Sequence, residues 1–124
     1  MRLSDAIRAG AKMKPHGVGS STVVSTGEKV CALGAAACGA GIDTISSFAA
    51  YNILKNRFPI LREEVRCESN PSKCRTGDVC EVIYHLNDGD GWSRERIADW
   101  VEQVEDEALE CGLYTKEQLG YATE

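Results

Sequence analysis

Three of the six cysteines, Cys67, Cys74 and Cys80, lie close together in the sequence, and His85 follows them. Zinc is usually held by four thiolate or imidazole ligands that arrive as close pairs, because one tight turn aims two sulfurs at the same point. The spacings here are looser, and Cys80 and His85 would point about 140° apart on a helix. Structural zinc therefore stands beside two alternatives: a Cys67–Cys74 or Cys74–Cys80 disulfide, and free thiols, which a reducing compartment favours.

The sequence also contains the residues of a Cys-His-Asn catalytic triad. Cys31 would supply the thiol, His16 or His85 the imidazole, and Asn87 or Asp88 the orienting group. A thiol near the start of a helix has its thiolate favoured by the helix dipole. No sequence signature surrounds Cys31, however, and the simpler interpretation is that Cys31 and Cys38 are small core residues.

Two glycine-containing loops lack residues that a ligand-binding loop needs. Asn87-Asp-Gly-Asp-Gly91 fits a calcium loop only if Leu86 and Ile97 act as ligands, which neither can do. Gly17-Val-Gly-Ser-Ser21 has no Lys after it, unlike a phosphate loop. The first loop is instead predicted to be a corner between helices, in which Asn87 or Asp88 binds backbone amides.

The clearest predicted helix, over residues 93–110, carries a stripe of four carboxylates on one side: Glu95, Asp99, Glu102 and Asp106. More acids follow toward its C-terminus, where the helix dipole disfavours them by a few tenths of a kcal/mol each. A helix charged against its own dipole indicates a docking surface. The alternative is a solvated face that only keeps the protein soluble.

Composition bounds the class of protein. Hydrophobic residues make up 43% of the 124 residues and charged residues 27%, which is typical of one globular domain over residues 1–124. The net charge of −5 is divided unevenly, with +4 in residues 1–60 and −9 in residues 61–124. Nucleic-acid binding draws on clustered Lys and Arg, so this balance disfavours it.

No stretch is predicted to cross or enter a membrane. The longest uncharged stretch, over residues 30–42, is too short to span a bilayer, and the first residues contain no apolar signal segment. We therefore expect a cytoplasmic protein without a membrane partner.

Helical periodicity dominates the elements that must position these residues. It predicts a first helix from residue 3 to about 13, with Ser4 as N-cap. A loop follows over residues 16–26, with an optional strand at 22–25. The second helix lies within residues 28–42, and its small residues let another helix approach. The next helix should begin at Asp43 or Thr44 and end before Pro59. Its expected inner stripe is Ile45, Phe48, Ala49, Asn52 and Ile53.

The second half of the chain carries clear capping signals. Asp78 and Ser93 should each cap a helix, with Trp92 packing on Ile97 as a hydrophobic staple, and Thr115 should open a last short turn. The predicted fold is mainly α: a compact single-domain bundle of about four to five helices, with room for one small β-hairpin.

Two stretches resemble a small prokaryotic family, some of whose members are carried by phages or other mobile elements. They are Cys31-Ala-Leu-Gly-Ala-Ala36, and His85-Leu-Asn-Asp88 followed by Trp92-Ser-Arg-Glu-Arg-Ile-Ala-Asp-Trp-Val-Glu102. Members often carry a Cys-x-x-Cys pair before the His-Leu-Asn-Asp helix and a second His after it. Here the close pair is missing and Asp90 or its neighbours replace that His, which weakens a metal site carried over from the family. The resemblance implies the helical fold and no activity.

The sequence thus predicts a non-enzymatic protein-interaction module that docks through its acidic helix. Its partner would be a protein, for which a basic surface is complementary; the sequence sets no oligomeric state. No cofactor is required by this interpretation. A module stabilised by zinc at Cys67, Cys74 and Cys80 is the first alternative, and a minimal cysteine hydrolase is the second.

Overall fold

The first two helices pack backbone against backbone through glycines. In the computed structural model, which describes residues 1–72 and 77–121, α1 (Leu3–Ala11) lies against α2 (Ala32–Gly39). A Cβ at Gly10 would come within 1.7 Å of the Ala35 carbonyl oxygen, and one at Gly39 within 2.0 Å of the Ala6 carbonyl oxygen. The predicted close approach at the small-residue helix is therefore confirmed, because only glycine leaves room for it.

Four more helices complete the described part of the chain: α3 (Ser47–Arg57), α4 (Val79–Asp88), α5 (Arg94–Glu110) and α6 (Lys116–Leu119). Short 3-10 turns lie between them at Ser20–Val23, Pro59–Arg62 and Cys67–Ser69. The mainly helical fold is confirmed. Extended structure in these residues is limited to two isolated bridges, His16 with Val30 and Glu64 with Asp78. The optional strand at 22–25 overlaps a 3-10 turn instead.

The long helix α5 begins and ends where its capping signals predicted. The Ser93 hydroxyl accepts a hydrogen bond from the Arg96 amide at 3.1 Å, and Gly112, with a φ of 73°, follows the last turn. Ile97 and Val101 are fully buried and Trp100 is 8% exposed, so these residues form the inner stripe of the helix. Through this stripe α5 packs on α1, α2 and α4.

The register predicted for α3 is wrong. The helix begins at Ser47, its buried residues are Ala50 and Leu54, and Ile45 and Phe48 are 84% and 89% exposed. The buried Thr44 hydroxyl accepts from the Ser25 amide at 2.6 Å and donates to the Val23 carbonyl at 3.2 Å. These bonds hold the chain before α3 against the preceding loop. The helix therefore starts later and turns a different face inward.

Candidate functional site

The acidic stripe of α5 lies against α1. Its two middle carboxylates, Asp99 and Glu102, contact Arg8 of α1 and Arg2 just before it. Arg8 donates to the Asp99 carboxylate at 2.9 Å and lies 2.6 Å from Glu102, and Arg2 lies 3.8 Å from Glu102. The two carboxylates raise the pKa of the Arg8 guanidinium. Asp99 and Glu102 are thus partly neutralised within the molecule.

The two ends of the stripe differ from its middle in having no arginine partner among the described residues. Asp106 is exposed and accepts a hydrogen bond from the Tyr121 hydroxyl at 2.8 Å. Glu95 is exposed and forms no ion pair with any residue that the structure describes. The structure therefore brings all four predicted residues to the surface of one helix, two of them in ion pairs with α1.

Glu105 is a buried carboxylate that the sequence analysis missed. Its side chain accepts from the Leu3 amide at 3.1 Å and from the Ser4 hydroxyl, so it caps the start of α1 from a distance of 101 residues or more along the chain. Burial raises its pKa to about 7. Ser4 is therefore not the N-cap, which is Arg2. The signal was present, because position 105 falls four residues after Val101 on the inner stripe.

A groove runs along the other flank of α5, between this helix and residues 63–71. It consists of two adjoining cavities of about 320 and 330 Å³ that share Ser69, Val104 and Glu107. The Trp100 indole N–H donates to the Ser69 carbonyl at 3.3 Å and ties the two walls together. The cavity walls combine apolar side chains with carboxylates, as a docking site for a basic and apolar segment would.

Only part of the predicted zinc set lies in the described part of the chain. Cys74 and the side chain of Cys67 lie outside the described residues. Cys80 is buried, which raises the pKa of its thiol to about 12. It lines a shallow cavity together with His85. Among the described residues no group of three His, Cys, Asp or Glu side chains is placed to hold a metal ion.

Cys31, His16 and Asn87 of the predicted Cys-His-Asn set lie around the start of α2. There they belong to a hydrogen-bond network that holds backbone groups in place. Cys31 is the N-cap of α2, and its sulfur accepts from the Gly34 amide at 3.5 Å. It is 7% exposed, and burial raises the pKa of its thiol, which opposes the activation that a nucleophile needs. Cys31 and Cys38 are both free and buried, as expected.

Asn87 holds this network together through backbone groups. Its side-chain oxygen lies 2.7 Å from His16 Nε2 and accepts from the Ala32 amide at 3.1 Å, while its amide donates to the Gly17 carbonyl at 3.0 Å. Asp88 accepts from the Gly19 amide at 3.2 Å. The prediction that Asn87 or Asp88 binds backbone amides is confirmed for both.

Comparison of this chain with known proteins found no match. No protein-family model matches the chain, and neither a curated protein nor a solved structure matches it. Within residues 1–72 and 77–121, none of the helices combines the length and the apolar character that crossing a bilayer requires.

Proposed function

We propose that the protein is a non-enzymatic protein-interaction module that docks onto a basic protein partner through the acidic helix α5. The observation that supports this most strongly is the distribution of charge on the helix. Asp106, Glu107 and Glu110 are exposed, and the last turn of α5 contains no basic residue. A carboxylate-rich surface attracts a basic partner over several ångströms and orients it during encounter.

Helix stability does not explain these charges. Acidic side chains in the last turns oppose the helix dipole and repel each other, at a cost of a few tenths of a kcal/mol each. Arg8 of α1 offsets this cost at Asp99 and Glu102, which lie farther toward the helix start. At the C-terminal end, Glu107 and Glu110 form no ion pair with a residue that the structure describes, so we assign the partner contact to that end.

The proposal is tested by affinity capture with two charge-reversed variants of equal net charge. Glu107→Lys with Glu110→Lys changes the docking end of α5, whereas Glu28→Lys with Asp43→Lys changes exposed residues outside it. Glu102 is avoided because its pairing with Arg8 would confound binding with folding. We expect the α5 variant to lose a partner that wild type and the control variant both recover at low salt. Equal recovery by all three proteins would remove the proposal, provided that melting curves show each to be folded.

Zinc at Cys67, Cys74 and Cys80 stays an alternative prediction with a direct test. Metal analysis of the purified protein gives about one zinc per chain if the alternative holds. Removal of that zinc with a chelator should then lower the melting temperature. A melting temperature that chelator leaves unchanged, in protein without bound zinc, is the result expected for an interaction module whose core is held by packing alone.

A further inference from the structure

Resting on the proposed function, we infer that the groove between α5 and residues 63–71 binds a short extended segment of the partner, in which apolar side chains are flanked by Lys or Arg. The inference depends on three properties of the groove: apolar side chains along its floor, an acidic rim whose glutamates form no ion pair with a described residue, and walls that are already fixed.

The floor of the groove offers apolar surface to a ligand. Val104 and Leu113 supply it: Val104 is half-buried and Leu113, just beyond the helix, is 60% exposed, whereas Trp100 and Ala108 line the cavities with side chains that are mostly buried. Leucine at that exposure leaves apolar area in water, and a bound apolar side chain that covers it gains affinity. The two cavities lie side by side, and the one lined by Ala108 and Leu113 is the more apolar, so we place the apolar side chain of an extended segment there.

The rim is acidic and unneutralised. Glu64, Glu68 and Glu107 line the cavities, all three are exposed, and none forms an ion pair with a residue that the structure describes. Arg66 is the one basic residue lining the two cavities in that part of the chain. A segment with Lys or Arg beside its apolar residues would therefore match both the floor and the rim, whereas an acidic or uncharged segment would match at most the floor.

The walls of the groove are held by hydrogen bonds that do not involve a ligand. Residues 63–65 are fixed through the Val65 amide, which donates to the Gly77 carbonyl, and through Glu63, whose carboxylate accepts from the Tyr114 hydroxyl at 3.0 Å. Ser69, farther along the same wall, is held by the hydrogen bond that its carbonyl accepts from the Trp100 indole. A groove formed in advance spares a ligand the entropy cost of ordering it.

The test uses three synthetic peptides and the indole N–H signals in nuclear magnetic resonance. One peptide alternates Lys and Leu, the second Glu and Leu, and the third Lys and Ser. The protein has two tryptophans, of which Trp100 lines the groove and Trp92 does not, so Trp92 is an internal control. We expect the Lys-Leu peptide to shift the Trp100 signal and leave that of Trp92 unchanged, with binding that weakens as salt is added.

Variants decide whether the groove itself binds. Glu107→Lys should weaken binding of the Lys-Leu peptide about tenfold, and Glu28→Lys should leave it unchanged. Leu113→Ser, at an exposed position, should weaken it without unfolding the protein. The inference is overturned if the Glu-Leu or Lys-Ser peptide binds equally well, or if the Lys-Leu peptide leaves the Trp100 signal unchanged.

The failure of this inference differs from failure of the proposed function. If the α5 charge reversal abolishes capture of a protein partner but no peptide reaches Trp100, docking through α5 stands and the groove is not its contact. If capture is insensitive to α5 while the peptide binds at Trp100, the groove has a ligand and the docking proposal falls.

Discussion

At the scale of single residues, Glu105 links the two ends of the chain. The side chain is fully buried, yet it accepts hydrogen bonds from the first turn of α1 rather than from an arginine. A carboxylate at a helix N-terminus satisfies amide groups that have no partner within the helix. Desolvation still dominates, and this is why the pKa is raised to about 7.

Stability should therefore depend on pH through Glu105. A pKa raised from 4.5 to about 7 means that the folded state binds the proton more tightly. The stabilisation is complete below the unfolded pKa and is lost as pH rises through about 7. We expect the free energy of unfolding to fall by about 2 to 3 kcal/mol between pH 5 and 8 from this group.

Denaturant unfolding of wild type and Glu105→Gln at both pH values checks this expectation. The amide is nearly isosteric and does not titrate, so the variant should lose most of the slope with pH. If wild type and Glu105→Gln lose stability equally over this range, another group is responsible.

Thiol reactivity should separate the described cysteines sharply. Cys111 is exposed at the end of α5, whereas Cys31, Cys38 and Cys80 are buried. We expect iodoacetamide to alkylate Cys111 in the native protein and to reach the other three only after denaturation. Mass mapping of the labelled peptides measures this directly. Alkylation of Cys31 as fast as Cys111 would contradict the structural role given to Cys31 and would favour the hydrolase alternative.

At the scale of elements, the helix pair α1 and α2 depends on the absence of two side chains. Alanine is the better helix former by about 1 kcal/mol, which favours substitution of a glycine within a helix. At Gly39 the new Cβ would lie 2.0 Å from a backbone carbonyl oxygen, and a backbone cannot move aside as a side chain can. Steric overlap therefore outweighs the gain in helix propensity.

Gly39→Ala should destabilise the protein by about 1 to 3 kcal/mol. Gly27→Ala, outside the helices, is the comparison with a much milder contact, because a Cβ there would lie 3.3 Å from the nearest backbone oxygens, which need to move by only a few tenths of an ångström. Thermal or denaturant unfolding of the two variants provides the comparison. A Gly39→Ala variant as stable as wild type would show that α1 and α2 do not pack as closely as described.

Local signals predicted some elements well and others poorly. The caps Asp78, Ser93 and Thr115 act within one turn of chain, so the sequence alone located the starts of α4, α5 and α6. The register of α3 depends instead on Thr44 bonding to a loop about 20 residues earlier, which periodicity cannot show. Tertiary contacts thus overrode the apolar pattern and left Phe48 in solvent.

At the scale of the whole molecule, the uneven charge of the sequence is partly resolved by folding. Arg2 and Arg8, from the basic half, lie against Asp99 and Glu102 of the acidic half. The stripe itself could be read from the helical spacing. Its division into a paired middle and unpaired ends could not, because that division depends on where α1 packs. The groove could not be predicted from the sequence either, because its second wall comes from residues 63–71, which show little hydrophobic periodicity.

The central claim, docking of a basic protein through the C-terminal end of α5, is tested most directly by association rates. The captured partner is immobilised and its association is followed against ionic strength for wild type, for Glu107→Lys with Glu110→Lys, and for Glu28→Lys with Asp43→Lys. We predict that the rate for wild type and the control variant falls steeply with added salt, and that the α5 variant associates slowly at every ionic strength. Equal rates and equal salt dependence for all three folded proteins would contradict the claim.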